Sequence, residues 1–444
     1  MDVQQLARKA LPRLAALIGI LVGFTLIINL SWFDEDLHPD LARLLPPQPV
    51  SMDGNSYPNV YGFLAAEGLD PHAIGVEVID LLRQRFARGE RVNVSVDEMA
   101  AINGATDLTD VPNSTYTSIA CNPRFELDCA DRLIREVRTG ASSDARLNLL
   151  FDRYEAILAL PRFEENQEFD AYTPLPSYGG LMQVGRIKLA TSFNQKSTSE
   201  FLDDVASDIR FWKTMLRDGQ ALVAKMVALA GLRNDSQFLS ALMRERNLSP
   251  GDLSAIGDIL TPFTDEERDI GETFLHEARI ALLTNKSLAI LVEGPSALTR
   301  LALQENATLN ENYYTTTIPI RLRAALSASE YYEQRAYEDL SYDVRILPPP
   351  LYNLGGKIVL KWVTTQIGLT GYISRVHDID GRIALVLLQA EILANPDQPA
   401  ETVITRSQHR NPYTLEPMNY DRATRQIGFE CLGNSMDVCA VTLQ

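Results

Sequence analysis

From Leu14 to Phe33 the chain carries no formal charge, and its centre, Leu14-Ala-Ala-Leu-Ile-Gly-Ile-Leu-Val-Gly-Phe-Thr-Leu-Ile-Ile28, is apolar on every helical face. A helix of this kind has no polar side to turn to water, so lipid or protein must cover it. At about 1.5 Å per residue, roughly 20 such residues span the hydrocarbon core of a bilayer, and Leu14–Phe33 is read as a transmembrane helix. Trp32 and Phe33 suit the headgroup layer, while Arg8, Lys9 and Arg13 precede the run and Asp34, Glu35 and Asp36 follow it, which places the N-terminus inside. A cleaved secretory signal would need a shorter apolar centre and a small-x-small site. The stretch from Asn29 to Asp34 offers none, and no lipid-accepting cysteine is near. Only about a dozen residues are then left inside, too few for a fused output domain.

The exported remainder is large enough for two or three compact units: of 444 residues, 45% are hydrophobic and 22% charged. A net charge of -17 argues against a general basic face for DNA, RNA or anionic lipid. Four cysteines form two local pairs of equal spacing, Cys121 with Cys129 and Cys431 with Cys439. Short Pro- or Gly-containing loops can return the chain to the Cα separation a disulfide needs, and both pairs are expected to be bonded in an oxidising compartment. Structural zinc pairs sit two to four residues apart, a poor match to this spacing.

Punctuation divides the chain. Residues 1–35 hold the tail and anchor, and 36–58, with Pro46, Pro47, Pro49, Gly54 and Pro58, read as a stiff spacer. Residues 59–345 read as a helical domain. Asp70-Pro71 starts a helix that uses Ile74, Val76, Ile79, Leu82 and Phe86, ending at Gly89, and residues 91–118 form a long loop with a short helix over Val96–Ile102. Ser143 opens another helix running to Pro161. Ser199 to Leu232 gives two more around Gly219, and Ser249-Pro250 and the Thr264–Glu267 capping box begin others. Beyond Pro348-Pro349-Pro350, residues 346–444 read as helices over Gly356–Val376 and Gly381–Ala394, then a β-hairpin within Pro412–Cys431. The fold class is mainly α.

Chemistry-bearing motifs are sparse. His276 begins Leu275-His276-Glu277 on a helix, but Ile280 stands where a zinc protease has its second histidine. His377-Asp378-Ile379-Asp380-Gly381 lacks the oxygens and bidentate Glu of a calcium loop and reads as a turn between helices. Ser407 and His409 lack a third partner and an oxyanion loop. No catalytic residue, metal site or cofactor is expected. Gly19 and Gly23 make a Gly-x-x-x-Gly on which a second transmembrane helix can pack, so a homo-oligomer is one expectation.

Asn353-Leu-Gly-Gly-Lys357, Tyr372-Ile-Ser-Arg-Val-His-Asp-Ile-Asp-Gly-Arg-Ile-Ala-Leu385 and Asn411-Pro-Tyr-Thr-Leu-Glu-Pro-Met-Asn-Tyr420 resemble the C-terminal pattern of uncharacterised bacterial single-pass, membrane-anchored helical proteins from envelope-bearing species; Arg153-Tyr154 with Leu160-Pro161 is similar too. Asn411 replaces the usual Asp and Leu415-Glu416 the usual Gly-Lys, and without the family's acidic tail no calcium is expected there. The resemblance implies an inner-membrane protein facing the periplasm, and no activity. Together these readings lead to two expectations: an interaction or scaffold module with a protein partner in the envelope, or a hydrolase of envelope material whose carboxylates the sequence hides.

Overall fold

The computed structural model describes residues 3–43, 51–88, 90, 94–104, 108, 121–139, 145–165, 173–280, 304–335, 352–353, 355–357, 360, 370–433 and 438–444. The molecule is mainly helical, as expected. In chain order the helices are α1 (Val3–Ile28), α2 (Pro39–Arg43), α3 (Ser56–Tyr61), α4 (Pro71–Ala87), α5 (Val96–Asn103), α6 (Cys129–Thr139), α7 (Ala145–Leu158), α8 (Tyr178–Gln195) and α9 (Thr198–Asp218). They continue as α10 (Leu222–Glu245), α11 (Pro250–Ile259), α12 (Asp265–Arg268), α13 (Glu305–Asn312), α14 (Ile318–Ala324), α15 (Ala328–Arg335), α16 (Thr370–Ala394) and α17 (Ala400–Arg406). Three short strands follow: β1 (Asn419–Asp421), β2 (Gln426–Gly428) and β3 (Ala440–Thr442).

Local chemistry sets many of the helix starts. Asp70 accepts from the N–H of His72 with Pro71 in the first turn, and Ser95/Glu98, Ser197/Glu200, Ser249/Asp252 and Thr264/Glu267 form reciprocal capping boxes. The helices pack around α10, which touches α6, α8, α9 and α16 and is buried along most of its length. Trp212 of α9 lies flat on Gly231 of α10, where a Cβ would overlap the indole. At the α3–α4 crossing, a Cβ on Gly75 would collide with the Pro58 carbonyl, so only glycine allows the backbones to approach this closely.

The expected hairpin forms between β1 and β2, with Tyr420 opposite Ile427, and β3 extends it to an antiparallel sheet of order β1-β2-β3. Ile427, Phe429, Val441 and Leu443 are buried in the same core as α16.

Several expectations change. The span expected over Leu14–Phe33 is not supported: no helix among the described residues is long and apolar enough to cross a membrane. The helix stops at Ile28 and Ser31–Phe33 is a separate 3₁₀ turn, because polar groups intervene. Asn29 donates its amide to the Thr25 carbonyl, and Gln304 donates to the carbonyls of Ile28 and Leu30. The apolar helical part, Leu14 to Ile28, therefore rises about 22 Å against a hydrocarbon core of roughly 30 Å.

The turn expected at Asp380-Gly381 is the middle of one continuous helix, α16. Asp380 accepts from the N–H of Phe263, and Gly381 is small because Phe429 and Pro412 press on it. Residues expected to act as a spacer include α2, and Leu41 and Tyr57 are buried. Ser143 and Pro348–Pro350 lie outside the described residues.

Arg153, on α7, shows how the N-terminal layer is held. Its guanidinium is buried and donates to the carbonyls of Phe63, Ala65, Ala66 and Leu69 at 2.6–3.3 Å, tying four carbonyls of one loop to one cation. Arg153→Met leaves those carbonyls buried without donors, so denaturant unfolding should show a loss of about 3 kcal/mol; a loss below about 1 kcal/mol would mean that the loop holds itself.

Candidate functional site

Between α9 and α10 the chain reverses through Gly219, Gln220 and Ala221, leaving the last carbonyls of one helix and the first N–H groups of the next without helical partners. Three charged side chains supply them, one from α10 itself and two from distant segments. Lys225 donates its buried ammonium to the carbonyls of Leu216 (2.6 Å) and Arg217 (3.5 Å). Glu165 accepts from the N–H groups of Gln220 (2.8 Å) and Ala221 (2.6 Å), and Glu277 from that of Leu222 (2.9 Å). The signs follow the helix dipoles, a cation at the carbonyl end of α9 and anions at the amide end of α10. Burial lowers Lys225 to about 8 and raises both carboxyls, an effect the N–H bonds partly offset.

Glu165 and Glu277 line a cavity of about 550 Å³. Leu175, Leu222, Val223 and Met226 give it apolar walls, and Arg375 enters from α16 with its guanidinium 4.7 Å from the Tyr372 ring centre. Both carboxylates already serve as caps, so the cavity offers an apolar surface with one cation rather than a free acid and base.

A second acid pair lies between α9 and α10. Asp208 and Asp235 are 2% and 1% exposed, and Asp208 accepts from the Tyr154 hydroxyl. Burial pushes Asp208 up to about 6, and burial together with the charge of Asp208 pushes Asp235 well above the carboxylate range. Neither Asp235 oxygen finds a donor among the described groups, so a bond between the two carboxyls requires a proton on one of them. Asp208 touches a smaller cavity of about 240 Å³ with Lys188, Asp204, Ser207 and Arg210 at its walls.

A third feature is a polar collar around the end of α1. Asp34 caps α13, accepting from the N–H groups of Asn306 and Ala307 at 2.9 Å each. Asn310 donates to Glu35 and to the Asp36 carbonyl and accepts from the His38 N–H. Tyr313 donates to Asp40 (2.7 Å) and Tyr352 to the Phe33 carbonyl (2.9 Å). The backbone widens into a π turn over Tyr313–Thr317 just before Pro319, whose missing N–H cannot continue the helical ladder.

The residues singled out in the sequence fall into place. Both cysteine pairs are closed, with Cα–Cα separations of 5.6 Å. Among the described residues, nothing lies within 4 Å of a Cβ built on Gly19 or Gly23, so that face of α1 meets no other described part of the chain. His276 and His377 are buried and lowered to about 4, chiefly by burial, and stay neutral. Asp378 accepts from Tyr413 and from the N–H groups of Leu432 and Gly433, a structural clamp rather than a calcium ligand set. Ser407 donates to Glu391, so a carboxylate, and not the His409 ring, accepts its hydrogen bond. The collar and the Glu165 and Glu277 caps escaped sequence reasoning because their partners lie far apart along the chain.

A raised carboxyl pKa favours the fold while the group is protonated, so this stability is complete below about pH 4 and drains away as pH rises through about 6 and beyond. Urea titrations at pH 5 and pH 7.5 should therefore differ by about 2 kcal/mol in favour of pH 5 for this pair. Asp235→Asn should flatten that difference, and an unchanged pH profile in the variant would refute the assignment. No protein-family model, curated protein or solved structure matches the chain, so its site is read from its own residues.

Proposed function

We propose that this is a single-pass inner-membrane protein whose helical body faces the periplasm and serves as an interaction module for a protein partner in the bacterial envelope. The observation that carries the reading is the surface of α1. Leu14, Leu17, Ile18, Ile20, Leu21, Val22, Phe24, Leu26 and Ile27 are each more than half exposed, whereas the apolar residues of the body are gathered into a core. A contiguous apolar surface of this size marks a membrane or protein contact. Its short rise suits a bilayer that thins locally or whose flanking basic residues reach outward. The basic-before, acidic-after order, the two disulfides and the family resemblance support the same placement.

A hydrolase acting on envelope material is the second reading, favoured by the Glu165/Glu277 and Asp208/Asp235 pairs with their raised carboxyls. The first pair is occupied by backbone N–H groups and the second is almost wholly buried, with Asp208 alone touching a cavity, which is why the interaction reading is preferred.

Two charges placed in α1, Ile18→Asp with Leu21→Asp, should move the full chain from the membrane to the soluble fraction, each costing about 2.5–3.5 kcal/mol at a bilayer centre. Retention of the double variant in salt-washed membranes would refute the anchor. Crosslinking the wild-type chain in native membranes should then yield one stoichiometric envelope protein, and its absence together with turnover of peptidoglycan or lipid would favour the hydrolase.

A further inference from the structure

The two disulfides share a spacing and differ in their electrostatic surroundings. Nη2 of Arg186, on α8, lies 3.3 Å from Sγ of Cys121 and 3.1 Å from Sγ of Cys129. Cys129 is fully buried at the start of α6, and Cys121 is half-buried. At the other pair a carboxylate oxygen of Asp378 lies within 4.8 Å of the sulfurs of Cys431 and Cys439, and the neighbouring cation, Arg382, donates to the Val438 carbonyl (2.7 Å) rather than to a sulfur.

Reduction of a disulfide proceeds by attack of a thiolate on one sulfur and departure of the other as a thiolate, and it is easier when the departing thiolate is stabilised. A guanidinium at hydrogen-bonding distance favours a thiolate, and a carboxylate beside it disfavours one. We propose that Cys121–Cys129 is a reducible, thiol-exchanging disulfide whose co-reactant is a protein dithiol, and that Cys431–Cys439 is a permanent staple.

In the exchange, a thiolate of the dithiol attacks Sγ of Cys121, the less buried of the two cysteines. The Cys121–Cys129 bond breaks and Cys129 departs as a thiolate against Arg186. The second thiol of the dithiol then attacks its own sulfur in the mixed disulfide and releases Cys121. The partner ends as a disulfide, and two electrons and two protons have passed to this chain.

The loop between Cys121 and Cys129 has something to release. Gln237 of α10 donates to the carbonyls of Pro123 (3.1 Å) and Glu126 (2.9 Å), and the Val438 N–H, beside the second disulfide, donates to the Arg124 carbonyl (3.2 Å). Opening the first pair thus loosens a joint between α10 and the C-terminal sheet while the second pair stays closed.

The test equilibrates the full chain, in detergent, with glutathione redox buffers and quantifies each pair by differential alkylation and mass spectrometry. The equilibrium constant for reducing Cys121–Cys129 should be at least tenfold larger than that for Cys431–Cys439, about 30 mV for a two-electron couple. Arg186→Gln should shrink the gap to about threefold or less and Arg186→Lys should keep most of it, while Asp378→Asn should move the second pair alone. Equal constants in the wild type, or an unchanged gap in a folded Arg186→Gln chain, would overturn the proposal. Should that variant not fold, the wild-type gap and the response to Asp378→Asn decide between the two. Membrane anchoring is not read by this experiment, so its outcome is independent of the localisation above.

Discussion

The α9–α10 corner is the constraint on which the rest of the body depends. Two long helices that reverse so sharply leave orphan backbone groups that must be met, and an unmet buried group costs about 1–3 kcal/mol. Lys225 meets the carbonyls of α9, while Glu165 and Glu277 meet the amides of α10. Because Glu165 also accepts from Tyr178 at the start of α8, and Glu277 sits in the helical stretch 271–280, the corner draws four segments to one point. Each charge is oriented by a helix end rather than by an opposite side-chain charge, so all three are fixed in place without being paired off with one another.

From this corner α10 runs inward carrying an unusual load of polar groups. Ser236 accepts from Arg382 and Ser240 donates to Gln389, both from α16, while Arg244 pairs with Asp131 of α6 at 2.6 Å. Arg382 is buried and lowered to about 9, by burial first and then by Arg233 and Arg244, and it also donates to the Val438 carbonyl. Apolar faces can slide past one another, whereas a ladder of directional bonds accepts one register, so these contacts fix α16 and the sheet against α10.

The same polar ladder marks where the sequence was legible. Capped, amphipathic helices such as α4, α5, α7 and α9 announce themselves through Asp70, Ser95 and the apolar stripe of Phe201, Val205, Ile209 and Trp212. The second half of α10 does not, because Asn234, Asp235, Ser236, Gln237 and Ser240 look like a surface or a loop, yet they are buried. α8 hides for the converse reason: with Leu181, Val184, Ile187, Leu189, Ala190 and Phe193 all buried, it lacks one clean stripe, and Gly179, Gly180 and Gly185 resemble breakers. Asp380-Gly381 imitates a turn because a tertiary acceptor followed by a close-packed glycine reads the same as turn chemistry. The cysteine pairing was legible because it is local. The two carboxylate caps at the corner join residues more than fifty positions apart, and no local pattern carries them.

The collar makes α1 a shaft rather than a tether. Bonds from Asp34, Glu35, Asp36 and Asp40 to α13 and Tyr313 leave little freedom at the point where the helix meets the body. In the proposed membrane setting, a 10° change in the tilt of α1 would swing the far side of a body roughly 50 Å across by about 9 Å, taking its size from the usual scaling of compact chains. Bilayer thickness, which sets helix tilt at a modest cost, would in this way be converted into lateral position at the periplasmic surface.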